Sequence, residues 1–195
     1  MESGALVIDT RETSGFGGAH LTGAYSIWLE GLPIFAGWVL PYDKPLLLVV
    51  EDNLHVEQAV QYLVRAGYER IKGYLKGGMH NWYTAGLYVD NLALLSVHQL
   101  EKCLDKKEDL TVLNVRGRDE WIAGHIENAN HIYVGYLDQR LVEVPKEQPF
   151  AVICKSGHRS SMAASILLRS KYRNVSNALG GMLAWEAAGF SIVKH

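Results

Sequence analysis

The sequence repeats itself at about half its length, and this restricts the fold more than any other feature. Asp9-Thr10-Arg11 returns as Asn114-Val115-Arg116, Phe16 as Trp121, and Ala19-His20-Leu21 as Gly124-His125-Ile126, each pair 105 positions apart. Further along, Gly77-Gly78-Met79, Trp82 and Ala85-Gly86-Leu87 return as Gly180-Gly181-Met182, Trp185 and Ala188-Gly189-Phe190, 103 positions apart. A repeat this long with a slowly drifting offset is two copies of one domain that differ by small loop deletions. The spacing predicts domains at 1–90 and 91–195, with the boundary between Val89 and Leu95.

Each copy alternates short apolar runs with helical patterns. In the first, Leu6 to Asp9 and Leu46 to Val50 are continuous apolar runs of the kind that strands buried on both faces show, and Val60, Leu63 and Val64 fall at helical spacing within Val56 to Tyr68. The second repeats the order with Val112 to Val115, Phe150 to Cys154 and Ser161 to Tyr172. The alternation predicts an α/β fold, each copy an open, mostly parallel sheet with helices on both faces. Ligands of such sheets sit outside the carboxyl ends of the strands, and Cys154 stands at one such end.

The stretch Val152-Ile153-Cys154-Lys155-Ser156-Gly157-His158-Arg159-Ser160-Ser161 reads as a nucleophile presented by a loop. Phe150 to Ile153 form the strand after Pro149, while Ala163, Ile166 and Leu167 recur at helical spacing with Ser160 or Ser161 as the helix cap. A cysteine placed there is open to the backbone N–H groups of residues 155 to 159, curled as an anion-binding nest, and to the positive end of the helix dipole. Lys155, His158 and Arg159 add cationic character. Such surroundings favour the thiolate, the reactive form of the side chain. A cysteine that merely fills a core has no use for a glycine, three candidate cations and a helix start within seven residues. Cys103, in the amphipathic segment Val97 to Leu104, reads as a packing residue.

Composition narrows the function classes. With 195 residues, a formal net charge of -2 and 48% hydrophobic residues, the chain has no basic stripe for nucleic acid, and no apolar run approaches the roughly 20 residues that span a bilayer. Met1-Glu2-Ser3-Gly4 lacks the features of a signal peptide, and two cysteines make no disulfide framework, so the expectation is a cytoplasmic protein. Eight histidines occur without a His-x-His pair or a His-x-x-x-His helix face, so no metal and no cofactor is expected. His20 and His125, at matching positions of the repeat, read as hydrogen-bonded structural residues.

Cys154-Lys155-Ser156-Gly157-His158-Arg159-Ser160 resembles the active-site loop of the rhodaneses, sulfurtransferases that carry sulfur as a cysteine persulfide. Leu179-Gly180-Gly181-Met182 with Trp185 and Gly189-Phe190 resembles the closing signature of that family. Asn114-Val115-Arg116 with Glu120, Gly124-His125-Ile126 and Ala129 resembles its opening one, the resemblance covering about residues 95 to 193. Asn114 departs from it, standing where the family usually has Asp, which puts a local hydrogen bond in doubt. The resemblance implies a Cys154 persulfide, with Lys155, Ser156, Gly157, His158, Arg159 and Ser160 binding the substrate. It implies a small-molecule sulfur donor, thiosulfate or a low-molecular-weight persulfide, and a thiol or cyanide acceptor. In that scheme Lys155 and Arg159 attract the anionic donor, while Ser156 and Ser160 offer hydroxyl donors.

Two other readings share the loop. Dual-specificity phosphatases and arsenate reductases also end a strand on a cysteine and close the nest with an arginine, but with five residues between them; Lys155 to His158 are four, a smaller ring that suits a single sulfur. A non-enzymatic module that receives persulfide from a partner, or docks on one, is the third.

The first copy carries Val49-Val50-Glu51-Asp52-Asn53-Leu54-His55-Val56 in place of the loop, and the drifting offset leaves open whether Val50 or Glu51 falls opposite Cys154. Neither is a cysteine, and Glu51 and Asp52 bring negative charge, so this copy resembles inactive rhodanese-like domains and reads as a scaffold or partner surface. The second copy opens with a helical segment, Ser96 to Asp109, while only five residues precede Leu6. The tandem of a degenerate and an active domain resembles the C-terminal half of metallo-β-lactamase-fold persulfide dioxygenase fusions, which implies an upstream domain of that fold.

Overall fold

The computed structural model describes residues 4–194. The chain divides into two compact units, Met1–Asn91 and Leu92–His195.

The first unit runs β1 (Leu6–Asp9), α1 (Thr13–Gly18), β2 (Tyr25–Ser26), α2 (Leu32–Val39), β3 (Leu46–Val49), α3 (Val56–Arg65), β4 (Ile71–Tyr74) and α4 (Gly78–Thr84). Its sheet has the order β2-β1-β3-β4, every pair parallel. The second unit runs β5 (Ala93–Leu95), α5 (Val97–Asp105), β6 (Thr111–Asn114), α6 (Arg118–Ala123), β7 (Asn130–His131), β8 (Phe150–Ile153), α7 (His158–Arg169), β9 (Val175–Ala178) and α8 (Gly181–Ala187). Its sheet has the order β5-β9-β8-β6-β7, again parallel throughout. Each unit is the open α/β sheet that the alternation of runs predicts.

Both faces of the second sheet are covered, which is why β8 is apolar at every position. Ala151 and Ile153 join Val97 and Leu100 of α5 and Met182 and Trp185 of α8 in one buried cluster. Phe150 and Val152 point the opposite way, toward the face on which α7 lies. Burial of each large apolar side chain in these layers stabilises the fold by roughly 1.5–3 kcal/mol.

Two boundaries differ from the sequence reading. Helix α7 begins at His158, and its N-cap is Gly157 in the left-handed region (φ 102), so Ser160 and Ser161 lie inside the first turn and do not cap it. Strand β5 is too short and too close to the helix for its periodicity to show; it adds an edge to the sheet by pairing with β9. The helix after it starts where expected, because Ser96 and Gln99 form a reciprocal capping box.

Among the described residues the first unit has no counterpart of β5 and α5. Val7, Leu21, Leu47, Leu75, Trp82 and Leu87 match Val112, Ile126, Ala151, Ala178, Trp185 and Phe190 of the second unit, where α5 and its strand cover them. In the first unit they line an open apolar groove of about 410 Å³. No helix among the described residues is long and apolar enough to cross a membrane.

Candidate active site

Cys154 follows the last residue of β8, and its sulfur is fully buried. The Gly157 N–H donates to Sγ at 3.1 Å, and Ser160 Oγ lies 3.3 Å from it. Gly157 reaches this position because φ 102 turns the chain back on itself, a conformation that side chains with a Cβ rarely adopt. The N–H is aimed at the sulfur and the hydroxyl lies within reach of it, an arrangement suited to negative charge at that position.

The loop is held from behind by α8. Its first turn donates the N–H groups of Met182 and Leu183 to the carbonyls of Cys154 and Lys155, at 2.8 and 3.0 Å. Those N–H groups have no partner within their own helix, so the loop carbonyls satisfy them. A Cβ on Gly181 would come within 2.5 Å of the Cys154 carbonyl oxygen. The Gly180-Gly181 pair is therefore a close-approach site for the Cys154 loop, a role that its spacing from Cys154 in the sequence does not reveal.

Ser160 has one hydroxyl proton and three acceptors within reach: Asn177 Oδ1 at 2.6 Å, the Gly157 carbonyl at 3.0 Å and Cys154 Sγ at 3.3 Å. Asn177, at the buried end of β9, also donates Nδ2–H to the Gly157 carbonyl at 3.1 Å. It ties the loop to the neighbouring strand and competes with the sulfur for the serine proton. Sequence reasoning missed it; the one available signal was an amide inside an otherwise small and apolar run, Val175-Ser176-Asn177-Ala178.

Arg159 does not reach out toward a donor. Its guanidinium makes two hydrogen bonds to Glu120, of 2.6 and 2.8 Å, and Glu120 accepts a third from the Gly117 N–H at 3.1 Å. The pair holds the Glu120 carboxyl below its ordinary range and the Arg159 guanidinium above its own. Of the three cations expected around the sulfur, Lys155 is exposed and His158 half-buried, its Nδ1 3.1 Å from the likewise exposed Ser156 hydroxyl. The loop residues are thus assembled, with Arg159 already neutralised by a carboxylate from α6.

Next to this pair, Arg116 is buried with its N–H and Nε–H on Asn114 Oδ1, at 3.1 and 3.3 Å, and with a guanidinium N–H on the Gly124 carbonyl. The bond put in doubt by the asparagine is formed, through its oxygen. The other half of that amide, Nδ2, is buried with no hydrogen-bond partner among the described residues. Among the described residues no group of three or more His, Cys, Asp and Glu side chains is placed to hold a metal ion.

The sequence matches the rhodanese-like domain family over residues 1–85 and again over 96–188. The chain belongs to the rhodanese-like domain family. Among its relatives, the putative sulfur carrier protein YrkF of Bacillus subtilis is 31% identical over 110 residues, 56% of this chain and 57% of that protein. The thiosulfate sulfurtransferase GlpE of Pseudoalteromonas translucida is 32% identical over 94 residues, 48% of this chain and 89% of that protein. The chain thus spans little more than half the length of the first relative and most of the second. A rhodanese-related protein of Thermoplasma volcanium, known from its crystal structure, is 27% identical with a TM-score of 0.49, covering 53% of this chain and 99% of that one.

In the first rhodanese-like unit the register is settled by the backbone. Val49 accepts the Thr10 N–H as Ile153 accepts that of Val115, which puts Val50 where Cys154 stands. Counting on from there to Tyr68 and Tyr172, each three residues past the end of the following helix and donating its N–H back to a leucine carbonyl five residues earlier, Asn53 takes the place of Gly157, His55 of Arg159 and Val56 of Ser160. Asn53 to His55 form a tight 3-10 turn capped by Asp52, whose carboxylate accepts the Leu54 N–H at 3.0 Å. Glu51 and Asp52 are exposed, so their charge lies at the surface and the position that matches Cys154 holds a buried valine.

Proposed function

We propose that this chain moves a sulfane sulfur from an anionic or persulfidic donor to a thiol or cyanide acceptor through a persulfide on Cys154. It is a rhodanese-type sulfurtransferase. The observation that carries the reading is the buried Cys154 sulfur facing the Gly157 N–H and the Ser160 hydroxyl at the carboxyl end of β8, in a chain of this family.

The Cys154 thiolate attacks the outer sulfur of thiosulfate. A bond forms between Sγ and that sulfur, the sulfur–sulfur bond of thiosulfate breaks, and its electron pair leaves on sulfite. The enzyme then holds a persulfide whose negative charge is on the terminal sulfur, where the backbone N–H groups of the loop stabilise it. An acceptor thiolate or cyanide attacks the terminal sulfur and returns Cys154 as a thiolate, so the kinetics are ping-pong. Exposed Lys155 is the cation available to draw in the donor, and Arg159 acts through its pair with Glu120. The first unit, with Val50 in place of the nucleophile, takes no part in this chemistry and serves as scaffold or docking surface. A reducing, cytoplasmic setting fits two unpaired cysteines. The likeness to a putative sulfur carrier favours one second reading, a relay that takes persulfide from a partner protein and passes it on.

Intact-mass analysis after incubation with thiosulfate or glutathione persulfide tests the proposal. Cys154 gains one sulfur, roughly 32 Da, and the Cys154→Ser variant does not. Labelling confined to Cys103 defeats it, and persulfide formation from glutathione persulfide without steady turnover of thiosulfate moves the relay reading to first place.

A further inference from the structure

We propose that the apolar groove of the first unit docks a partner protein, which lays an extended stretch along the outer edge of β4 and packs an amphipathic helix with acidic flanks into the groove. The inference rests on the docking role given to the first unit and is independent of the chemistry at Cys154.

The second unit shows what such a groove is shaped to hold. There β5 pairs with β9 through Ala93 with Ser176, Leu94 with Asn177 and Leu95 with Ala178. Helix α5 then sets Val97 and Leu100 against Ile153, Ala178 and Trp185. Val49, Leu75 and Trp82 stand at the positions of those last three in the first unit, and they line the groove. Among the described residues β4 is the outermost strand of its sheet, and nothing of that unit covers them. Tyr74, Leu87 and Tyr88, which also line the groove, are 39%, 47% and 75% exposed. Large apolar side chains gathered in one exposed patch mark an interaction site, and the repeat states the shape of what fits it: a short strand followed by a helix.

The edge keeps the register that pairing needs. The ladder between β3 and β4 shifts between Leu46 with Ile71 and Leu47 with Gly73, a bulge of the kind that closes an edge to further strands. It lies ahead of the segment that matters, because Gly73 to Leu75 match Ser176 to Ala178, the residues that receive β5 in the second unit. Lys76 follows at the place of Leu179, whose N–H donates to the Leu95 carbonyl at 2.8 Å. Charge gives the partner its chemistry. Val175 to Ala184 carry no charged residue, whereas the matching stretch from Ile71 to Asn81 has Lys72 and Lys76, both exposed, and no acid. A basic lip beside an apolar groove selects a segment with acids beside its apolar face and helps to fix its register.

The test uses the full chain and, standing in for the partner, a synthetic peptide of residues 92–110 carrying Cys103→Ser. That peptide holds the strand, the apolar helix face and the acids Glu101, Asp105, Glu108 and Asp109. With excess peptide at low salt, amide hydrogen exchange at Gly73 to Lys76 slows by roughly tenfold, and the slowing fades as salt is raised. Leu87→Glu in the protein abolishes the slowing, as does Leu100→Glu in the peptide, since either places a charge in the apolar contact. Lys72→Glu with Lys76→Glu raises the peptide concentration needed by roughly tenfold. No slowing, slowing that persists in Leu87→Glu, or slowing confined to Ser176 to Leu179, where the peptide has replaced β5, overturns the proposal. So does slowing at Gly73 to Lys76 that appears without peptide as protein concentration rises, which assigns the groove to a second copy of the chain. The mass shift at Cys154 is a separate measurement, so failure of the sulfur chemistry leaves this result as it stands.

Discussion

Glu120 and Arg159, brought together from α6 and the first turn of α7, share two charge-assisted hydrogen bonds of 2.6 and 2.8 Å beside the Cys154 loop. The pair changes what either residue contributes alone. Arg159→Ala leaves the Glu120 carboxylate without its counter-ion beside the loop, so in the proposed reaction kcat/KM for thiosulfate falls by roughly a hundredfold. Glu120→Gln combined with Arg159→Ala removes that carboxylate and recovers to within about tenfold of wild type. Steady-state assays on the single and double variants decide it; equal losses mean that the arginine itself contacts the donor or shapes the loop.

The same pair gives stability a pH dependence of definite sign. Arg159 lowers the Glu120 carboxyl below its ordinary value of 4.5, so the folded state binds that proton less readily than the unfolded chain. The stabilisation is complete above the unfolded value and is lost as pH falls through the folded one. Urea unfolding of wild type should weaken more steeply than that of Glu120→Gln as pH drops from about 5 to about 3. Parallel slopes would mean that the pair contributes nothing in solution.

Ser160 joins the sulfur to Asn177, so Ser160→Ala acts on both. Persulfide formation slows by roughly tenfold to a hundredfold for want of the hydroxyl donor. The buried Asn177 carbonyl is also left without its 2.6 Å partner, at a cost of about 1–3 kcal/mol in unfolding free energy. Single-turnover kinetics and chemical denaturation read the two effects separately, and an unchanged rate removes Ser160 from the site.

The matched tryptophans separate the two units in stability. Each donates its indole N–H to a backbone carbonyl six residues on, Trp82 to Tyr88 and Trp185 to Ser191, at 2.8 and 3.0 Å. Trp185 is 2% exposed under α5, whereas Trp82 lines the open groove. Trp185→Ala costs about 3–5 kcal/mol, the range for a fully buried aromatic, and Trp82→Ala clearly less. Calorimetry on both variants checks the order.

The repeat, the α/β architecture and the cysteine-bearing loop were all legible in the sequence, because each is written in local pattern. Apolar runs such as Phe150 to Ile153 mark strands buried on both faces, Ile166 and Leu167 mark the inner side of a helix, and Gly157 marks a turn. The tertiary structure alone decided that Asn177 clamps the loop, that Glu120 occupies Arg159, that Val50 rather than Glu51 stands opposite Cys154, and that half of the Asn114 amide has no partner among the described residues. The reason is the parallel sheet. It gathers the carboxyl ends of β6, β8 and β9 side by side through pairings such as Asn114 with Ile153 and Val152 with Asn177, which lie 39 and 25 positions apart in the chain. Residues meeting at that edge are set by strand register, and register is a relation between distant segments that neither segment records by itself.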